Sequence, residues 1–244
     1  MVTIEQQTEM VSLPESGRVF SRPARAGLAD VAPSGRVRLD ALAGWIQDVS
    51  YSDMENAGLA GIAVWVIRKM RIDVTRFPRF GESFELRTFC SGFGRMWAER
   101  RVSIVPVDGS EGGVESVTLW VHLDPRTRRP FPLTPPEIVT FREAARGRRV
   151  SARLRHRPPE GVLAERPWHF RHGECDLAGH VNNSAYLRPL EEEFLSADLE
   201  PERLGLEIEF RSAAQPGEKI ILADGPRRWI VGEGETHASI LLRD

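Results

Sequence analysis

One structural plan is written twice along this chain, and that limits the folds open to it more than any other feature. Each half reads as a short strand, a turn, an amphipathic helix and a run of strands. In the first half a strand is expected through Arg18-Val19-Phe20-Ser21, and Asp30 to Gly35 is turn-rich. Leu39, Leu42, Trp45, Ile46 and Val49 recur at three- and four-residue steps, the mark of a helix with one apolar face. Asp40 lies near its start, and Gly58 and Gly61 punctuate its exit. Strands follow at 62–74, 83–89, 96–107 and 114–123. The second half restarts near Trp168-His169-Phe170, turns, and continues as a helix to about residue 197. Its strands lie at 204–211, 219–223, 228–231 and 237–242, with Gly217, Gly225 and Gly232 between them. The halves barely match in sequence, so the repeat is one of structure. A helix followed by long antiparallel strands is the order expected when a sheet wraps one central helix. Two such sheets joined edge to edge would protect each other's exposed edge.

The 244 residues suffice for one large domain or two small ones sharing a core. No apolar run approaches the ~20 residues needed to span a membrane, and the N-terminus lacks the pattern of a secretory signal. Thirty-three basic residues nearly balance 35 acidic ones, which argues against nucleic acid as the main partner. Cys90 and Cys175 make no metal-ligand pattern, and a reduced, cytoplasmic setting is the simplest reading. Nothing reads as a glycine-rich phosphate loop, a zinc site or a Gly-x-Ser-x-Gly elbow, so no cofactor is implied. Residues 1–14 read as a flexible tail. Seven arginines, Arg142, Arg146, Arg148, Arg149, Arg153, Arg155 and Arg157, mark a solvated connector whose charge would also attract an acidic partner.

The chemistry concentrates in Phe170-Arg171-His172-Gly173-Glu174-Cys175-Asp176-Leu177-Ala178-Gly179-His180-Val181-Asn182-Asn183-Ser184-Ala185-Tyr186. Tyr186, Leu187, Leu190 and Phe194 then form an apolar helical stripe, with Glu191, Glu192 and Glu193 expected on the exposed side. Asn182 or Asn183 would cap this helix, Asn183 being the better cap. An Asp, a Gly, a His and two Asn therefore converge on a helix mouth. Backbone N–H groups there lack intrahelical partners and sit at the positive end of the helix dipole. A carbonyl oxygen gaining negative charge would be stabilised by them. Tyr186, one turn further in, reads as core with a satisfied hydroxyl.

Asp-x-x-Gly-His-Val-Asn-Asn-x-x-Tyr resembles the signature of hotdog-fold thioesterases. Trp65-Val66-Ile67-Arg68-Lys69-Met70-Arg71-Ile72-Asp73, with Arg76-Phe77-Pro78-Arg79-Phe80-Gly81-Glu82, resembles a run of the acyl-ACP thioesterases, which release fatty acids from acyl carrier protein. Leu119-Trp120-Val121 with Thr127-Arg128-Arg129-Pro130 resembles a further segment of that family. The ordered match extends from about Gly17 onward.

The resemblance implies an α+β protein of two tandem hotdog units, each an antiparallel sheet wrapped around a central helix, the sheets joined side by side. An N-terminal unit at 15–140 would shape the acyl-chain pocket. Residues 141–160 would form the linker, and 161–244 the unit that carries the motif. The implied activity is hydrolysis of fatty acyl-ACP to free acid and holo-ACP in lipid metabolism, with acyl-CoA as the alternative substrate. Asp176, His180 and Asn182 are the expected catalytic residues: Asp176 to take a proton from water, His180 to orient it, shuttle the proton or bind the thioester oxygen. Gly179, Asn183, Gln215, Trp45 and Trp65 are the expected oxyanion and substrate contacts. Two departures stand out. Plant-type members carry an Asn two residues before the motif His, where this chain has Ala178. They carry a Glu and a Cys on a later strand, where this chain has Ser212-Ala213-Ala214-Gln215. Ala178 and Ala214 therefore also suit a protein that binds acyl thioesters without turning them over. The oligomeric state is open between monomer and homodimer.

Overall fold

The computed structural model describes residues 9–161 and 163–243, so residues 1–8 of the expected tail lie outside the described residues. The first half supplies β1 (Phe20–Arg25), α1 (Leu39–Asn56), β2 (Val64–Val74), β3 (Ser83–Phe93), β4 (Trp97–Pro106) and β5 (Val114–Leu123). α2 (Pro135–Ala145) follows. The second half supplies β6 (Ala164–Phe170), α3 (Arg188–Ser196), β7 (Leu204–Phe210), β8 (Gly217–Asp224), β9 (Arg227–Gly232) and β10 (Glu235–Arg243).

Among the described residues all ten strands form one sheet, in the order β1-β3-β4-β5-β2-β7-β10-β9-β8-β6. Read outward from its centre, each half repeats the same order, so β2 and β7 are equivalent and meet antiparallel at the seam. Met70 faces Ile208 across this seam and Ile72 faces Leu206, all four buried. These side chains join Leu42 and Ile46 of α1 and Leu190 of α3 in one apolar core shared by both halves. Fully burying each such side chain contributes about 1.5–3 kcal/mol. The two curled sheets joined side by side are thus the expected architecture.

The opposite face of the seam is charged. Lys69 Nζ lies 3.1 Å from Glu207 Oε1, and both side chains are buried. The arginine-rich stretch covers them: the N–H groups of Arg155 and His156 donate to Glu209 at 2.5 and 3.0 Å, and Trp229 Nε1 donates to Arg157 O at 2.9 Å. This stretch also opens inside α2, a helix absent from the sequence reading. Its start is a capping box, in which Glu137 Oε2 accepts from Thr134 N and Oγ1, with prolines in the first turn. Phe141 and Ala145 of α2 bury against Met54, Cys90 and Ala98 in a second, smaller core. At the N-terminus, Arg101 Nε donates to Val11 O at 3.0 Å. No described helix is long and apolar enough to cross a membrane.

Candidate active site

The motif does not lead straight into an α-helix. A 3-10 turn at His172–Glu174 precedes it, a second 3-10 segment runs from Asn183–Leu187, and only at Arg188 does α3 begin. Asn182, not Asn183, caps the second segment: its Oδ1 accepts from Ser184 N at 2.9 Å and from Ser184 Oγ at 2.8 Å. Asn182 is favoured because its extended backbone leaves the side chain able to fold back onto the second residue beyond it. Asn183 is the first residue inside the segment.

Between the two segments the chain makes a tight loop. Asp176 N donates to His180 O at 2.9 Å, and Gly179 N donates to Asp176 O at 3.0 Å. Gly179 has φ +76°, which suits a residue without a Cβ. Asp176 Oδ1 accepts from Ala178 N at 2.8 Å. The Asp176 carboxylate is exposed, and Leu177 beside it is wholly so. The loop projects from the surface, its backbone hydrogen bonds made largely within itself. Two hollows of the described surface lie elsewhere, on the face of β8 and β10, and neither is lined by residues 170–186.

Behind the loop the structure is closely packed. Val181 N donates to Ala214 O at 3.0 Å, and Ala214 N donates to the Tyr186 hydroxyl at 2.7 Å. Tyr186 is 2% exposed. Burial pushes its phenol up to about 12, against the pull of the Ala214 N–H, and the nearby charge of Asp176 adds to the rise.

The expected site residues are brought together in part. Asp176, Gly179, His180, Asn182 and Asn183 share the loop and its exit, and Gln215 is exposed on the segment paired with Val181. The His180 imidazole has no hydrogen-bond partner among the described residues. Trp45 packs against the shared core, its ring 6.3 Å from that of Phe84. Trp65 belongs elsewhere: it packs against the small core under α2, edge-on to His122 at 4.9 Å. It shares the core face of β2 with Ile67, two residues on, but packs with the second core instead of the one that holds Val181 and Tyr186.

Three contacts across the halves escaped the sequence reading. Gln47 Nε2 of α1 donates to Asn182 Oδ1 at 3.2 Å. Arg188 joins Asp40 of α1 to Glu174, at 3.1 and 2.6 Å. Glu191 is buried, not exposed: Arg36 Nη2 lies 2.5 Å from its Oε1, and Leu39 N donates to its Oε2 at 3.0 Å. Glu191 lies four residues after Leu187 and three before Phe194, and that spacing already sets it on the apolar stripe. Burial opposes the Arg36 charge, but Glu191 and Glu200 outweigh it and hold the guanidinium above its usual range.

The first half contains the same loop. Ala32 N donates to Arg36 O at 2.7 Å, Gly35 N to Ala32 O at 2.8 Å, Arg38 N to Asp30 O at 2.9 Å, and Gly35 has φ +85°. Ala32 thus stands where the second loop has Asp176, Arg36 where it has His180, and Leu39 where it has Asn183. In the first loop Arg36 N donates to Ser34 Oγ at 3.4 Å and Leu39 N to Glu191. In the second, the N–H groups of His180 and Asn183 have no acceptor among the described residues. The one described group with metal-ligand spacing, His156 with Glu207 and Glu209, is already served by cations, since Lys69 and Arg211 hold its carboxylates.

The sequence profile of the acyl-ACP thioesterase N-terminal domain matches residues 17–141, just over half of the 244. An uncharacterized protein of Mycobacterium tuberculosis is 26% identical over 241 residues, covering 96% of this chain and 95% of that protein. Oleoyl-acyl carrier protein thioesterase 1 of Arabidopsis thaliana is 21% identical over 212 residues, 77% of this chain and 58% of that protein. Among solved structures, an acyl-ACP thioesterase from Bacteroides thetaiotaomicron has a TM-score of 0.77 at 16% identity, covering 92% of this chain and 98% of that one. The 12:0-ACP thioesterase from Umbellularia californica has a TM-score of 0.72 at 16% identity, covering 92% and 97%. These likenesses show a shared double hotdog fold.

Proposed function

The chain belongs to the acyl-ACP thioesterase family, and from that premise we propose that it hydrolyses fatty acyl-ACP to free acid and holo-ACP at the loop of residues 176–183. Acyl-CoA is the alternative thioester. One observation carries the reading. The same loop is built twice, and in one copy the amide of Leu39 holds a carboxylate while its counterpart, Asn183 N–H, stands open with His180 N–H. A loop that receives a carboxylate oxygen in one half is suited to receive a thioester oxyanion in the other.

In this reading the thioester carbonyl oxygen lies over those two amides. Asp176 takes a proton from water, and the hydroxide oxygen attacks the carbonyl carbon. The displaced electron pair rests on the oxygen held by His180 and Asn183 N–H. Collapse breaks the carbon–sulfur bond, and the proton held by Asp176 passes to the leaving thiolate. The His180 imidazole and Asn182 Nδ2, both without protein acceptors, orient the thioester. Gly179 keeps the approach to the amides free, and Gln215 borders it. The unit spanning 15–140, with Trp45 in its core, would shape the acyl pocket, and 161–244 would carry the chemistry.

The test is steady-state hydrolysis of a panel of acyl-ACPs and acyl-CoAs. Asp176→Ala should lower kcat by about 10²-fold or more, the usual scale for a general base. Unchanged turnover removes Asp176 from the mechanism. The second reading, acyl-thioester binding without turnover, is favoured by the exposure of Asp176 and by Ala178 and Ala214. Tight binding with no thiol released would establish it.

A further inference from the structure

Asp40, Gly44, Gln47 and Tyr51 recur at four-, three- and four-residue steps and so lie along one stripe of α1. This stripe faces the motif. At one end Asp40 Oδ2 accepts from Arg188 Nε at 3.1 Å, and further along Gln47 Nε2 donates to Asn182 Oδ1 at 3.2 Å and to Ala43 O at 3.3 Å. Gly44 lies between them. A Cβ built there meets no heavy atom within 4 Å, and no positive φ demands glycine. Glycine is among the poorest residues for a helix interior, so neither packing nor backbone accounts for its use here. The contact between α1 and the motif segment has a gap where a side chain would fit.

The rim of this gap is amide-rich. Asn182 Oδ1 accepts three hydrogen bonds, from Ser184 N, Ser184 Oγ and Gln47 Nε2, so the amide is locked with Nδ2 outward. Neither that Nδ2 nor Gln47 Oε1 has a protein partner among the described residues. A narrow chain carrying secondary amides matches such a rim; a bare hydrocarbon does not, since it would leave these groups unpaired.

The geometry points to α1 as the second wall of the site: Gln47 is a positioning residue that fixes the Asn182 amide from the opposite half, and Gly44 keeps open the gap that takes the pantetheine arm of the thioester. This rests on the thioesterase reading and adds to it where the arm lies and what holds Asn182.

The experiment uses the full chain, a non-hydrolysable alkyl-pantetheine thioether as binding probe, and acyl-CoA and acyl-ACP of one chain length as substrates. Gly44→Leu should raise the melting temperature, because leucine favours the helix, yet weaken thioether binding at least tenfold. Its KM should rise equally for acyl-CoA and acyl-ACP, which share the pantetheine. Gln47→Leu should lower kcat about tenfold with KM changed less than threefold. The double variant Gln47→Leu/Asn182→Ala should have the kcat of Asn182→Ala alone, because Gln47 acts through Asn182. Unweakened thioether binding by Gly44→Leu, a KM effect confined to one carrier, or multiplying losses in the double variant would overturn the inference. If the parent binds the thioether but hydrolyses nothing, the hydrolase reading fails while this one stands, with the Gln47 arm then read in affinity. A parent that hydrolyses thioesters without binding the thioether overturns this one alone.

Discussion

The loops at residues 30–39 and 174–183 have one backbone and opposite uses. Each is closed by the same three backbone hydrogen bonds around a glycine at positive φ. The first is filled by its neighbours: Arg36 turns inward, Glu191 meets it, and the free amide of Leu39 is satisfied by that carboxylate. The second is left unfilled, with Asp176 exposed and two amides open. The helix mouth that serves as an anchor in one half is thus free for chemistry in the other. The difference extends behind the loops. Tyr186 and Ala214 in the second half stand where Leu42 and Pro78 stand in the first. Ala214 N–H needs the Tyr186 hydroxyl; a proline has no N–H to satisfy.

The largest effect should come from breaking the filled loop. Glu191→Ala leaves the buried Arg36 guanidinium without its closest partner and uncaps α1, and should cost about 3–5 kcal/mol of stability. Asp176→Ala in the open loop should change stability by no more than about 0.5 kcal/mol, since the carboxylate is exposed. Denaturant unfolding of both variants at neutral pH checks the pair. A large loss from Asp176→Ala would mean that the open loop is also an anchor.

A second variant asks whether halves with such different loops unfold as one. Burial alone would raise the Glu207 carboxyl, but His156, Lys69 and Arg243 hold it down, from 4.5 to about 2. A carboxyl lowered in the folded state stabilises above its unfolded value and loses that contribution as pH falls through its folded value. The shift corresponds to about 3 kcal/mol. Glu207→Gln should therefore destabilise by about that much at neutral pH, and the gap from the parent should close between pH 4.5 and 2. Because Lys69 belongs to β2 and Glu207 to β7, a single unfolding transition throughout shows that the seam couples the halves. Two transitions at neutral pH would show that each loop sits in a separately stable unit.

How much of this was legible in the sequence depends on where the signal is local. The ten strands, α1 and the doubled plan follow from periodicity and glycine spacing. The loop at 176–183 follows from a motif whose residues are adjacent. α2 is hard to read because Pro135 and Pro136 stand in its first turn, although Thr134 and Glu137 spell a capping box around them. The hidden part of the site is what crosses between halves. Gln47 meets Asn182 from 135 residues away and Glu191 meets Arg36 from 155, and no local pattern records such pairings. Trp65 parts from the motif for a related reason: alternation sets its face, but only the fold divides that face between two cores.

The third test is smaller. Tyr186→Phe leaves Ala214 N–H buried without an acceptor and should cost about 1–3 kcal/mol. In an Ala214→Pro background, which copies the first half, most of that cost should vanish. Calorimetric unfolding of the four proteins of this cycle gives the coupling directly. An equal cost in both backgrounds would mean that Tyr186 stabilises through ring packing and not through its hydroxyl.

The smallest effect bears most directly on chemistry. Ser34 occupies in the first loop the place Ala178 occupies in the second, and its Oγ accepts the Arg36 N–H at 3.4 Å. Ala178→Ser should carry that arrangement across, so that the new hydroxyl accepts from His180 N–H, one of the two amides assigned to the oxyanion. The position is exposed, so stability should be unaffected. A hydrogen bond of about 1 kcal/mol competing for that amide should lower kcat roughly fivefold. Ala178→Val, which adds bulk without an acceptor, separates competition from crowding. If the serine variant turns over as fast as the parent while Asp176→Ala does not, the His180 amide is idle and the oxyanion is held by Asn183 N–H with the side chains alone. If serine and valine slow the reaction equally, the loop is sensitive to shape at this position, and the likeness between the two loops ends at their backbones.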